Sequence, residues 1–163
     1  MPAAPDVVID LGSGGGVPGL RLAQHWPTSR VVLVEAQGRR ARFLAAAAAA
    51  LGLAGVEVCH VRAEALARQL RAWASVVVAR SFGPPAVTAE CAAPLLVVGG
   101  LLVVSEPPVP GDRWPGAELE QLGLAWRRTV RVGEAAVAVL EQCRPAPDRF
   151  PRRVGIPAKR PLF

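Results

Sequence analysis

Two features of this sequence have the residue types and spacing to hold a nucleotide-like cofactor. The first is Asp10-Leu11-Gly12-Ser13-Gly14-Gly15-Gly16-Val17-Pro18-Gly19, which directly follows the apolar run Val7-Val8-Ile9. Glycines let a backbone turn sharply and approach a ligand closely, and Pro18 suits the first turn of a helix, where its missing N–H is not needed. The free N–H groups of that helix would face the bound molecule. The second is Glu35, at the end of Arg30-Val31-Val32-Leu33-Val34. It lies about twenty residues past the loop, where doubly wound folds place a carboxylate on ribose hydroxyls. A carboxylate there accepts two hydroxyl hydrogen bonds and repels a 2′-phosphate.

The spacing Gly14-x-Gly16-x-x-Gly19 fits the dinucleotide pattern, but a lone match of that kind is weak and sits late relative to the strand. Asp10, Gly12, Gly14 and Gly16 fit better as acidic-x-Gly-x-Gly-x-Gly, the first motif of S-adenosylmethionine-dependent methyltransferases. Ligands of open α/β sheets bind over the carboxyl ends of the strands. The loops expected after strands three and four therefore add Ala63-Glu64 and Arg80-Ser81-Phe82 to the site. Glu64 reads equally as an adenine-holding acid and as a helix N-terminal acid favoured by the dipole.

Residues for acid–base or covalent work are missing. The segment Ala79 to Pro85 does not fit the Asn/Asp-Pro-Pro-aromatic motif of base amine methylation. Cys91 falls inside a helical pattern rather than at a nucleophile position, and His25 and His60 read as structural. An acceptor such as guanine N7 has a lone pair and no proton, so its methylation needs no general base. Desolvation and alignment would suffice. No catalytic residue is assigned.

The elements that would position these residues alternate as an α/β fold requires. Strands are predicted at the first apolar run, 30–35, 56–59, 75–79 and 101–105, with a closing hairpin at 125–132 and 136–141. Helices are predicted from Gly19 to about Trp26, over 38–51 with its six consecutive alanines, over 64–73, from Pro84-Pro85 to near Gly99-Gly100, and over 118–122. The Pro-rich stretch 106–116 reads as a loop. Seven strands with an antiparallel last pair match a class I S-adenosylmethionine-dependent methyltransferase sheet, mostly parallel and twisted, with helices on both faces. They do not match a six-stranded dehydrogenase sheet.

At 163 residues and 52% hydrophobic content, the chain suits one domain over 1–163 with a substantial core. No apolar run is long enough to span a bilayer and no secretory signal is visible, which points to a soluble, cytoplasmic protein without membrane association. Cys59, Cys91 and Cys143 are odd in number and lack metal-ligand spacing, so neither a disulfide framework nor a metal site is expected. The net charge is +6, and Arg144, Arg149, Arg152, Arg153, Lys159 and Arg160 face only Asp148 in the final segment, 144–163. On charge alone such a tail is either solubilising or tracks phosphates.

Several pieces together resemble one family, the bacterial small-subunit ribosomal RNA guanine-N7 methyltransferases (RsmG, also called GidB). They are the glycine loop, Gly38-Arg39-Arg40-Ala41-Arg42-Phe43-Leu44, Arg62-Ala63-Glu64, Ala79-Arg80-Ser81-Phe82, and the ending Phe150-Pro151-Arg152-Arg153-Val154-Gly155-Ile156-Pro157-Ala158-Lys159-Arg160-Pro161-Leu162. The ending is the most specific of them, and the similarity runs along essentially the whole chain. Members of the family carry a helical segment ahead of the first strand that the sequence as given lacks. The resemblance implies S-adenosylmethionine as cofactor and S-adenosylhomocysteine as product. It implies cofactor contacts at Gly12, Val17, Ala63, Glu64 and Arg80, with Glu35 on the ribose. It also implies 16S rRNA or the small ribosomal subunit as partner, with Arg149, Arg152, Arg153, Lys159 and Arg160 facing RNA. The sequence does not determine the oligomeric state, for which a monomer is the expectation. A small-molecule methyltransferase, and a non-catalytic RNA- or ribosome-binding module that keeps the fold, are the alternatives.

Overall fold

Strands buried on both faces are mostly apolar, and the first two satisfy this apart from the buried Asp10 in one and the exposed Arg30 that opens the other. The computed structural model describes residues 4–107 and 113–163. In it, β1 (Val7–Leu11) and β2 (Arg30–Val34) pair in parallel. Val8, Val31 and Leu33 point into one core, and Ile9, Leu11, Val32 and Val34 point into the other.

The remaining strands are β3 (Val56–Cys59), β4 (Ala74–Ala79), β5 (Leu96–Glu106), β6 (Leu124–Val132) and β7 (Ala135–Gln142). They complete a seven-stranded sheet in the order β3-β2-β1-β4-β5-β7-β6. The pairs among β1 to β5 are parallel, while β7 runs antiparallel to β5 and β6 antiparallel to β7. The chain thus works outward from β1 to β3 and then crosses back to β4. That reversal opens a crevice between the loops that follow β1 and β4.

Helices cover both faces. α1 (Gly19–His25) and α2 (Gly38–Ala50) pack on one core through Leu20, Ala23, Leu44 and Ala48. α3 (Ala63–Gln69), α4 (Pro85–Ala92) and α5 (Gly116–Gln121) pack on the other through residues such as Leu66, Ala89 and Leu119. In α2 the buried stripe is Ala41, Leu44 and Ala48, so the alanine run supplies helix propensity more than core. A short α6 (Ile156–Lys159) ends the chain.

Several boundaries differ from expectation. The helix expected to reach Gly99-Gly100 stops at Ala92, passes through a 3-10 turn at Ala93–Leu95 and becomes strand at Leu96. Pro94 cannot continue a helix and Val97-Val98 prefer a pleated surface. The two glycines instead lie where the β4–β5 register shifts. The helix expected over 64–73 ends at Gln69, and α5 starts two residues before the expected Glu118. Part of the expected 106–116 loop, 108–112, lies outside the described residues, and β5 reaches Glu106 at its start.

The basic tail is packed against the domain. Arg71 donates to the carbonyl oxygens of Phe150 and Ala146, both at 2.6 Å. Phe150, Pro151 and Pro157 are buried. Arg152 reaches Glu90 of α4, donating from Nη2 to Oε2 at 2.6 Å and from Nε to Oε1 at 2.8 Å, and its backbone N–H adds a third bond at 2.9 Å.

Asp10, 1% exposed, secures the start of α1 by accepting the Gly19 N–H at Oδ2, 3.0 Å away. Gly19 permits the approach, because a Cβ there would meet Leu33 and lie 2.6 Å from Asp10 Oδ2. Burial is the dominant influence on the Asp10 carboxyl and pushes its pKa up to about 6; the bond from Gly19 opposes this. The folded chain therefore holds this proton more tightly than the unfolded chain does between pH 4 and 6. Asp10's contribution to stability is full below the ordinary carboxylate pKa of 3.8 and is lost as pH rises through about 6. Asp10→Asn keeps an acceptor for Gly19 and is expected to remove this slope. Chemical denaturation of both proteins across pH 4 to 7 checks it, and parallel stability curves would refute it.

Candidate functional site

An open cavity of about 450 Å³ sits over the carboxyl ends of the strands, at the reversal between β1 and β4. Its walls come from the segments following four strands: Gly12 after β1, Glu35 to Gln37 after β2, Val61 to Glu64 after β3, and Ser81 to Pro84 after β4. A single crevice collects these loops because consecutive parallel strands present their carboxyl ends on the same edge.

Glu35 is the best-anchored polar group in the wall. It is 5% exposed; its Oε2 accepts the Gly14 N–H at 3.0 Å and its Oε1 accepts the Gln37 N–H at 2.8 Å. The carboxylate thereby ties the glycine loop to the end of β2, and the Ser13 N–H, donated to the Val34 carbonyl at 3.0 Å, adds a second tie. Each oxygen accepts one N–H bond, so acceptor capacity remains toward the cavity.

Gly12 has φ +67°, and a Cβ there would stand 2.8 Å from Phe82 Cδ2. The glycine loop and the β4 loop approach each other only because that position has no side chain. Ser81 beside Phe82 also has positive φ, +53°. Non-glycine residues in that region are uncommon and gather at functional sites.

Glu64 lies in the first turn of α3 and is 7% exposed. Its Oε1 accepts the Gly155 N–H at 3.0 Å, and Ala158 of α6 completes the cavity wall. The tail and the cavity are therefore mechanically joined through one carboxylate. Nothing local in the sequence pairs Glu64 with Gly155.

Of the residues expected to hold a cofactor, the structure brings Gly12, Glu35, Ala63 and Glu64 to the cavity wall. Asp10, Gly14, Gly16, Val17 and Arg80 do not line it. Asp10 supports α1, Gly14 supplies an N–H to Glu35, Val17 is 44% exposed, and Arg80 faces solvent. Gln37 and Val61, which lack a motif of their own, were not expected at the site, nor were Arg40 and Ala158, which stood in motifs with no cofactor role assigned; Ala158 arrives from the far end of the chain. Among the expected RNA-facing residues, Arg153, Lys159 and Arg160 are exposed, while Arg149 lies over the Phe150 ring with its guanidinium carbon 5.0 Å from the centroid. Arg152 is engaged by Glu90, because a buried carboxylate needs a cation beside it.

The histidines and Cys91 have other partners or surroundings. His25 stacks edge-on against Trp26 and His60 Nε2 lies 3.2 Å from the Ala36 carbonyl oxygen. Cys91 is fully buried in α4 and burial pushes its thiol pKa far up, so it carries no thiolate. Among the described residues no cluster of three His, Cys, Asp or Glu could hold a metal, and no helix is long and apolar enough to cross a membrane.

Residues 2–107 match the family model described as "GidB: rRNA small subunit methyltransferase G". The chain is 40% identical over 169 residues to a ribosomal RNA small subunit methyltransferase G of Rubrobacter xylanophilus, covering 95% of this chain and 64% of that protein. A relative of the same name from Chloroflexus aggregans is 40% identical over 168 residues, covering 98% of this chain and 71% of its own. The chain thus spans just under two thirds of the Rubrobacter protein. In fold it is similar to a solved SAM-dependent methyltransferase of Aquifex aeolicus, with a TM-score of 0.63 and 17% identity, covering 83% of this chain and 80% of that one.

Proposed function

This chain belongs to the GidB family, rRNA small subunit methyltransferase G, and on that premise we propose that it transfers a methyl group from S-adenosylmethionine to N7 of a guanine in 16S rRNA. S-adenosylhomocysteine is the product. The observation that carries this reading is the position of Glu35, a buried carboxylate at the cavity wall with acceptor capacity left on both oxygens. That pair of acceptor oxygens fits the two hydroxyl donors of a ribose diol. The volume of about 450 Å³ also falls within the range of roughly 300–1,000 Å³ typical of ligand clefts.

S-adenosylmethionine, when bound, would supply a methyl group activated by its sulfonium. The chain's own work is to bind, orient and exclude water. Glu35 receives the ribose hydroxyls, the Gly12–Phe82 contact gives one apolar wall, and Ala63 with Glu64 borders the opposite side. Guanine N7 attacks through a lone pair and releases no proton there, so no general base is required. The engaged histidines and the buried Cys91 fit that requirement. Rate then comes from alignment at about 3–3.5 Å and from desolvation.

RNA contact falls to exposed cations of the tail, Arg149, Arg153, Lys159 and Arg160, while Arg152 positions the tail through Glu90. Ala158 lies in the cavity wall, so Lys159, the next residue of α6, stands near the proposed reaction site. A substrate of 16S rRNA or the small ribosomal subunit supports a cytoplasmic setting.

The test is transfer of a radiolabelled methyl group to small subunits that lack the modification. Incorporation at one guanine is expected, with loss in Gly14→Asp, where a second carboxylate would face Glu35 in a φ +53° position. Methyl transfer to small molecules without RNA would favour the small-molecule alternative. Absence of S-adenosylmethionine binding by calorimetry would favour the non-catalytic module.

A further inference from the structure

We propose that the groove between the glycine loop and the first turns of α2 docks a single-stranded stretch of the RNA substrate, with Phe43 stacked on a base and Arg39 and Arg40 on its phosphates. The proposal rests on the methyl-transfer reading above and names the surface through which the same site would receive RNA.

Phe43 is 56% exposed, an unusual setting for a large aromatic ring. It lies off the Ala41, Leu44 and Ala48 stripe by which α2 packs on the sheet, so its exposure follows from helix geometry. Arg39 and Arg40 precede it by four and three positions, on the same helical face. Together with Gly14, Gly15 and Gln37 these three side chains line a groove of about 470 Å³. Gln37 and Arg40 also line the cavity assigned to the cofactor, so the two spaces adjoin.

The chemistry of the groove selects its occupant. None of its lining residues is acidic, and among the described residues no carboxylate pairs with Arg39, Arg40 or Arg42, all exposed. Unpaired cations around a flat π-face suit a polyanion that carries flat rings. Base–aromatic stacking with backbone neutralisation is how single-stranded nucleic acid is held without sequence readout. The floor of the groove is bare. A Cβ at Gly15 would meet nothing within 4 Å and the residue does not have the positive φ of its neighbours, so neither packing nor backbone conformation calls for glycine there.

The experiment titrates the full chain into a short fluorescein-labelled single-stranded RNA at low salt, read by anisotropy, with a parallel calorimetric titration of S-adenosylmethionine. Phe43→Ala is expected to weaken RNA binding by about tenfold or more, and Phe43→Trp to retain it. Arg39→Ala is expected to weaken binding and to lower the salt slope by about one contact. S-adenosylmethionine affinity and the thermal midpoint are expected to stay unchanged in Phe43→Ala. Wild-type RNA affinity in Phe43→Ala, or equal weakness in the Ala and Trp variants, overturns the proposal. So does a sedimentation shift in Phe43→Ala showing that the face instead joins a second copy of the chain. If the wild-type chain binds RNA through this groove but not S-adenosylmethionine, the methyl-transfer reading fails while the groove stands.

Discussion

Replacing Arg152 with alanine is expected to destabilise the fold by about 3–5 kcal/mol, the cost of leaving a buried carboxylate without its partner. Glu90 is 0% exposed in α4, and Arg152 supplies two guanidinium hydrogen bonds and one backbone hydrogen bond to it. A domain of this size is stable by only about 5–15 kcal/mol, so the loss should appear as a large fall in the urea midpoint and in thermal stability. Glu90→Gln in the Arg152→Ala background removes the stranded charge and is expected to recover part of the loss. An Arg152→Ala protein within about 1 kcal/mol of the parent would show that the pair does not hold the tail. The same variant distinguishes two roles for the tail. If Arg152 positions it, RNA binding should weaken together with stability; if it contacts phosphate, binding should weaken while the urea midpoint holds.

Glu35→Ala is expected to weaken S-adenosylmethionine binding by about 1–3 kcal/mol, roughly 5- to 150-fold in dissociation constant. Two losses combine. The ribose hydroxyls lose a charged acceptor, and the N–H groups of Gly14 and Gln37 lose the carboxylate that fixes the glycine loop against the end of β2. Glu35→Gln keeps one oxygen and is expected to fall between the parent and the alanine variant. Calorimetric titration with S-adenosylmethionine and S-adenosylhomocysteine measures both, and an unchanged dissociation constant in Glu35→Ala would remove this residue from the cofactor site.

Much of the site was legible because it is built from local signals. A strand ending in an acid, a glycine loop after another strand and an Ala-Glu pair opening a helix bring Glu35, Gly12, Ala63 and Glu64 to one wall, since consecutive parallel strands present their ends on one edge. The reading was less accurate where two local signals conflicted. Gly99-Gly100 resembled a helix end, but Pro94 and the valines after it had already ended the helix. Arg80 and Val17 stand in the expected loops and are exposed but do not line the cavity, because loop membership does not fix where a side chain comes to rest.

By itself the sequence determined the five helices between the strands, the seven strands with their closing hairpin, the glycine loop and the acid beside it, though not the short α6. Each of these follows from side-chain periodicity or from backbone preferences among near neighbours. Only the tertiary structure decided the strand order, the joining of Glu64 to Gly155 and the engagement of Arg152 by Glu90. Those partners lie 91 and 62 residues apart, and a charge or an N–H carries no mark of its distant partner. The pairing is chosen when both groups leave water together, so the basic tail, which charge alone reads as either solubilising or phosphate-tracking, is in part a structural strap against α4 and the cavity wall.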